Sequence, residues 1–180
     1  MNYFTSDLHF GHGNIIKYCN RPFKTPDDMN NSLIRNWNSR VKEEDTVFHV
    51  GDFCFQRSSQ SLKAKCWEDK LNGKIIHIKG NHDKNNSTKT VIERLVISMG
   101  GRSINLVHKP EHADLSYGLN FVGHVHEKWA FKRIRQGDLS TDCINVGVDV
   151  NNFRPVTFNE IMSKYKHWLR NGRKGVKNEI

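Results

Sequence analysis

Lys74-Ile75-Ile76-His77-Ile78-Lys79-Gly80-Asn81-His82-Asp83 is the stretch on which the fold turns. Residues 74–79 form a β-type run whose isoleucines leave no wet face, as in a strand covered on both sides. The run breaks at Gly80 into three side chains able to hold a metal or move a proton. The same order recurs elsewhere: Asn2–Thr5 leads into Asp7-Leu8-His9, and Thr46–Val50 into Gly51-Asp52. Ser103–Val107 ends at His108, and Leu119–Val122 runs into Gly123-His124-Val125-His126. Arg94–Ser98, Cys143–Val148 and Val156–Phe158 complete the candidate strands. In open α/β sheets ligands collect beyond the carboxyl ends of the strands, so these donors can meet in space while distant in sequence.

Helical signals fall between the strands, which argues for an α/β domain. Thr25-Pro26-Asp27-Asp28 supplies an N-cap, proline at N1 and acid in the first turn, followed by Met29, Leu33, Ile34, Trp37 and Val41 at helical spacing. Leu62, Cys66, Trp67 and Leu71 form a second stripe stopped by Gly73. Thr157-x-x-Glu160 is a capping-box pattern ahead of Ile161, Tyr165, Trp168 and Leu169. The Trp and Met residues of these stripes are read as core.

The chain has 180 residues, enough for a hydrophobic core, and residues 1–170 are read as one domain with 171–180 as a basic, frayed tail. With 36% hydrophobic and 26% charged residues the composition is globular, which excludes extended disorder. No apolar stretch approaches the roughly 20 residues of a membrane span, and the N-terminus lacks the pattern of a cleaved signal peptide. Cys19, Cys54, Cys66 and Cys143 form no C-x-x-C pair, so free thiols and a cytoplasmic location are expected. A net charge of +9 favours phosphorylated or polyanionic partners.

Ten histidines are more informative than the charge, because several stand at strand ends. Asp, Asn and His are oxygen and imidazole donors that suit Mn, Fe, Zn or Ni. An Asp-x-His pair on extended chain is expected to swing both side chains to one side, since alternate strand positions share a face. Gly51, Gly80 and Gly123 each precede a donor, where a sharp turn or close backbone approach is easiest.

Asp-x-His, Gly-Asp, Gly-Asn-His-Asp, a lone His and Gly-His-x-His, in this order from Asp7 to His126, resemble the calcineurin-like metallophosphoesterases. The resemblance implies a two-sheet α/β/β/α sandwich with the site at one edge. Carried over by position, Asp7, His9 and His126 would hold one divalent metal, and Asn81, His108 and His124 a second, with Asp52 bridging. Manganese is the first expectation for both ions, and Fe, Zn or Ni the alternatives. Two such cations clamp a phosphate and share a hydroxide that attacks phosphorus. His82 would face the substrate and give the leaving alkoxide its proton. Asp83 is a partner of a ligand, a turn residue or a helix cap. The chain departs from the protein phosphatases of that family, because Phe55 stands where their second aspartate would orient the catalytic histidine.

The implied activity is hydrolysis of a phosphoester, first of all a diester of a small nucleotide-like or nucleic-acid-derived substrate. A phosphomonoesterase, a nuclease and, from another class, a non-catalytic basic scaffold are the alternatives. Arg21 and Arg57 are candidates to grip phosphate oxygens, and simple ion pairing is their other reading. His12 is a candidate to touch substrate, or an exposed loop residue. His49 and His77, inside apolar strands, are read as hydrogen-bonded core, and His112 and His167 as surface. Lys128, Lys132, Arg133 and Arg135, interleaved with Trp129 and Phe131, form a basic patch that could meet nucleic acid.

Overall fold

The computed structural model describes residues 1–56, 62–83, 88 and 92–172. Its elements, in chain order, are β1 (Asn2–Thr5), α1 (Gly13–Tyr18), α2 (Pro26–Asn38), β2 (Thr46–Val50), α3 (Ala64–Glu68), β3 (Lys74–Ile78), β4 (Arg94–Met99), β5 (Arg102–Val107), β6 (Leu119–Val122), β7 (Phe131–Gln136), β8 (Leu139–Asn145), β9 (Val156–Thr157) and α4 (Phe158–Arg170). Strands β3-β2-β1-β9 form one sheet and β4-β5-β6-β8-β7 the other.

Side-chain alternation builds the layers. In the first sheet Tyr3 and Val47 face Met29, Leu33 and Trp37 of α2 and Trp67 of α3. Their neighbours Phe4, Phe48 and Val50 face Ile104, Leu106, Phe121 and Ile144 of the second sheet. The apolar stripe of α4 (Ile161, Tyr165, Trp168) joins this inter-sheet core and stacks Trp168 on Phe131 at 5.6 Å. Both faces of β1 and β2 are thus covered, as their apolar runs require.

Parallel pairing sets the position of everything chemical. β1, β2 and β3 run parallel, with Tyr3 beside Val47 and Val47 beside Ile75. β5, β6 and β8 are also mutually parallel, pairing Leu106 with Phe121 and Phe121 with Ile144. A bridge between Ser6 and Gly147 joins the sheets where β1 and β8 end. The loops after β1, β2, β3, β5 and β6 therefore open onto one edge.

Local signals fared according to how much they depend on packing. Thr25 caps α2 through the Asp28 N–H, and Thr157 with Glu160 forms the complete capping box of α4. The second stripe is shorter than its spacing suggests: α3 spans Ala64–Glu68, Leu62 is 46% exposed and Cys66 is exposed, while Trp67 and Leu71 are buried. β8 begins at Leu139 and ends at Asn145, pairing with β7, a strand not foreseen; its Lys132, Arg133 and Arg135 weaken the apolar signal. Phe131 is half-buried and packs against the inter-sheet core, as its core-packing reading expects. Among the described residues no helix is long and apolar enough to cross a membrane.

Candidate metal centre

The strand-end donors leave their strands in an unexpected conformation. Asp7, His9, Asp52, His124 and His126 have φ of 58°, 51°, 60°, 71° and 48°. This corrects the extended Asp-x-His pair: both residues sit in the left-handed region, which costs non-glycine residues about 1–3 kcal/mol each unless the surroundings over-determine it. Those surroundings are specific. The Asp7 N–H donates to Gly51 O (3.0 Å) and the His9 N–H to Asp52 O (3.1 Å), tying the first loop to the second. The His124 N–H donates to both Asp7 carboxylate oxygens (3.1 and 3.0 Å), and the Ser6 hydroxyl adds a bond to Oδ2 at 2.6 Å.

Among the described residues three donor clusters result, one of which, Cys19, His126 and Asp149, shares His126 with the first of the two sets expected. Asp7, His9 and His126 offer atoms mutually within 4.8 Å, and Asp52, His108 and His124 do the same. Asp52 Oδ2 lies 3.6 Å from His9 Nε2 and 3.2 Å from His108 Nε2, so one carboxylate oxygen adjoins both sets. Asn81 Oδ1 is 3.2 Å from His108 Nε2, which places it with the second set. His108 Nδ1 donates to Val50 O at 2.8 Å, leaving Nε2 to face Asp52. His9 is 1% exposed and neither ring nitrogen has a hydrogen-bond partner among the described residues. An orphaned, buried imidazole among carboxylates fits a ligand for a divalent cation, as does the all-oxygen-and-imidazole donor set.

Burial sets much of the charge. It holds His9 well below the usual imidazole range, and also lowers His124, with positive His108 and Lys109 adding to the effect. Burial raises Asp7, against the pull of His108 and His126. For three groups the partners outweigh burial. The Asp52 hydrogen bond and the carboxylates of Asp7 and Asp52 push His108 up to about 9. Asp149, Cys19 and Asp7 push His126 up to about 10. His108 and His9, with the His82 N–H, hold Asp52 well below the usual carboxylate range.

Glycine is required by contact as much as by conformation. A Cβ on Gly80 would lie 2.1 Å from Asp52 Oδ1, and one on Gly123 2.6 Å from Asp7 Oδ2. Gly51 needs both freedoms, with φ of 89° and the His108 ring 2.4 Å from a Cβ.

His82 is exposed at the mouth, its ring 5.3 Å from that of His9 and its N–H donating to Asp52 Oδ1 at 2.9 Å. Phe55 stacks on His12 at 4.2 Å and stands edge-on to His82 at 6.4 Å, so an aromatic ring takes the place of an orienting aspartate. His12 is 9% exposed, which corrects the exposed-loop alternative, and it lies 5.6 Å from His9. Arg21 is not free to grip phosphate: it is 4% exposed, and its donors go to Asp149, Asp7 O, Leu8 O and Met29 Sδ. Arg57 lies outside the described residues, as does most of the tail. His77 pairs with Glu68 at 3.1 Å, whereas His49, fully buried, has neither nitrogen hydrogen-bonded among the described residues, correcting its reading as a hydrogen-bonded core residue. In the basic patch, Arg133 is tied to Asp142 at 2.6 and 2.8 Å.

Sequence reasoning missed Asp149, whose Oδ2 accepts from His126 Nδ1 at 2.9 Å. The signal was present, since Asp149 is another acid just past a strand. Asp83 proves to be a staple between loops: its carboxylate accepts from the backbone of Asp52 (2.8 Å), Phe53 (3.0 Å) and Gly80 (2.7 Å).

A two-sheet sandwich with Asp, Asn and His gathered at one carboxyl edge defines a metallophosphoesterase-type domain. Residues 3–148 match the calcineurin-like phosphoesterase superfamily domain, and the chain belongs to that superfamily. It is 39% identical over 169 residues to the uncharacterized protein MJ1445 of Methanocaldococcus jannaschii, spanning 89% of this chain and 88% of that one. The Gene 66 protein of Mycobacterium phage L5 is 33% identical over 84 residues, 45% of this chain and 39% of its own. Among solved structures, protein AQ665 of Aquifex aeolicus shares the fold, with a TM-score of 0.69 at 24% identity over 91% of this chain and 98% of that one.

Proposed function

We propose that this chain is a phosphoric ester hydrolase working with two divalent cations, and that it prefers a diester of small nucleotide-like or nucleic-acid-derived character. The observation that carries the reading is Asp52 Oδ2, which adjoins His9 Nε2 at 3.6 Å and His108 Nε2 at 3.2 Å and so suits a bridge between two metal positions. Asp7, His9 and His126 would hold the first cation, and Asn81, His108 and His124 the second. Manganese suits these donors, as do iron, zinc and nickel. When bound, such a pair supplies positive charge for the phosphoryl oxygens and lowers the pKa of water at phosphorus.

The rest is the work of side chains. His82 is the proton donor to the leaving oxygen, with its backbone anchored on Asp52 and its ring exposed toward incoming substrate. The diester preference is supported by what surrounds the site. A monoester dianion carries one more charged oxygen than a diester, and Arg21, one of the two guanidinium candidates for it, is fully engaged elsewhere. A groove of about 250 Å³ bordered by Lys79, Asn81, Glu93, His108, Lys109 and His112 adjoins the second donor set. Lys79 pairs there with Glu93 at 3.7 Å, and Lys109 and His112 are the groups placed to meet a further anionic part of a substrate. Free thiols at all four cysteines fit a cytoplasmic setting.

The test is a panel assay with manganese: bis-p-nitrophenyl phosphate, p-nitrophenyl phosphate, cyclic nucleotides and a labelled oligonucleotide. Faster turnover of diesters than of the monoester is expected. Preference for the monoester reverses the subclass, and degradation of the oligonucleotide alone makes the protein a nuclease. Inactivity throughout, with two metals bound, returns the chain to a scaffold role.

A further inference from the structure

Arg21 holds no place among the candidate ligands, yet it binds the loop that carries Asp7 and His9 and, through Asp149, reaches His126. Its Nε and Nη2 donate to Asp149 Oδ1 and Oδ2 at 2.8 and 2.9 Å, a two-pronged pair whose side chains are 0% and 2% exposed. Nη2 also donates to Asp7 O at 2.7 Å, while Nη1 donates to Leu8 O at 3.2 Å and Met29 Sδ at 3.4 Å. Every N–H of the guanidinium thereby has an acceptor. On the far side of the pair, Asp149 Oδ2 accepts from His126 Nδ1 at 2.9 Å.

We propose that Arg21 and Asp149 form a buried clamp that sets the geometry of the first metal position alone. This inference rests on the two-cation reading above. Both residues are positioning residues, acting through Asp7, His9 and His126.

Three physical arguments support the clamp. With the proton on Nδ1, where Asp149 accepts it, the His126 lone pair is on Nε2, the tautomer and ring orientation a ligand needs. Asp7 and His9 flank Leu8 in left-handed conformation (φ 58° and 51°), and Arg21 binds the carbonyls of Asp7 and Leu8, the two peptides between them. Rotating either peptide would break one of these bonds and re-aim a carboxylate or an imidazole. Finally, a buried ion pair is a poor source of net stability, since an apolar pair of similar volume often does as well. A fixed geometry is the better reason for placing charge there. The second set has a different anchor, because His108 Nδ1 donates to the Val50 carbonyl.

Manganese binding to the full chain, by calorimetric titration and by electron paramagnetic resonance, tests the clamp. Wild type should bind two ions. Asp149→Asn keeps the shape but loses the charge and one acceptor; it should weaken one site roughly 10–100-fold, the usual worth of a partner behind a metal-bound histidine, and leave the other unchanged. Arg21→Lys should weaken the same site, because an ammonium cannot make the fork and reach both carbonyls. Cobalt spectra should change for one ion only. If Arg21→Lys does not fold, Asp149→Asn decides alone. Two sites of wild-type affinity in folded Asp149→Asn would overturn the clamp, as would equal weakening of both sites with a lower melting temperature. Absence of metal binding by wild type would instead defeat the two-cation reading.

Discussion

Replacing Asp83 should loosen the candidate site without touching any candidate ligand. Its carboxylate is 5% exposed as part of the residue and, among the described residues, takes backbone N–H bonds from Asp52 and Gly80 on Oδ2 and from Phe53 on Oδ1. In Asp83→Asn the single amide oxygen can serve the Asp52 and Gly80 N–H groups or the Phe53 N–H but not both sides, so the NH₂ faces at least one of these donors. One donor is then orphaned against another, at a cost of about 2 kcal/mol. For a chain of 180 residues that corresponds to a melting point about 4–8 °C lower. Asp83→Ala orphans all three, and with some water entering the gap the loss should be roughly 3–6 kcal/mol. Because the staple fixes the Asp52 loop against Gly80, manganese affinity should fall at both positions. Thermal melts of the metal-free proteins, followed by manganese titration, check this. An Asp83→Ala protein that melts within about 1 °C of wild type, or is less affected than Asp83→Asn, would refute the reasoning.

Other expectations concern single side chains. His82→Ala should keep two metals while turnover on a diester falls roughly 10²–10⁴-fold, the range for a lost general acid; loss of metal would make His82 a ligand. Asp52→Asn should weaken both positions together, measured as metal per chain, and an unchanged stoichiometry would contradict the bridge. Glu160 gives a pH test at α4. Burial would raise its carboxyl, but the Thr157 N–H and hydroxyl and the Arg40 guanidinium hold it below its ordinary value of 4.5. A depressed carboxyl contributes stability that is present above that value and lost as pH falls through the folded one. The stability difference between wild type and Glu160→Gln, about 1 kcal/mol at neutral pH as for a helix cap, should therefore shrink below pH 4.5 in urea unfolding.

Much was legible where the cause is local. Strand-end donors, the proline-capped start of α2 and the capping box of α4 depend on residues a few positions apart, and these are found where the sequence places them. Position after a strand is also what gathers Asp7, Asp52, Asn81, His108 and His124, because parallel strands all end at one edge. The short α3 and the charged β7 were misread because their burial, not their spacing, determines them.

By itself, then, the sequence determined the class of fold, the donors and the edge on which they gather, since period, turn residues and strand direction are properties of short segments. Tertiary structure alone decided how the donors are held. The left-handed turn at Asp7 and His9, the burial of Arg21, the Asp149–His126 contact and the Asp83 staple depend on hydrogen bonds between residues far apart, as with Arg21 and Asp149 at a separation of 128 positions. A guanidinium carries the same donors wherever it stands; only the packed chain supplies the acceptors that make it a clamp and not a phosphate grip.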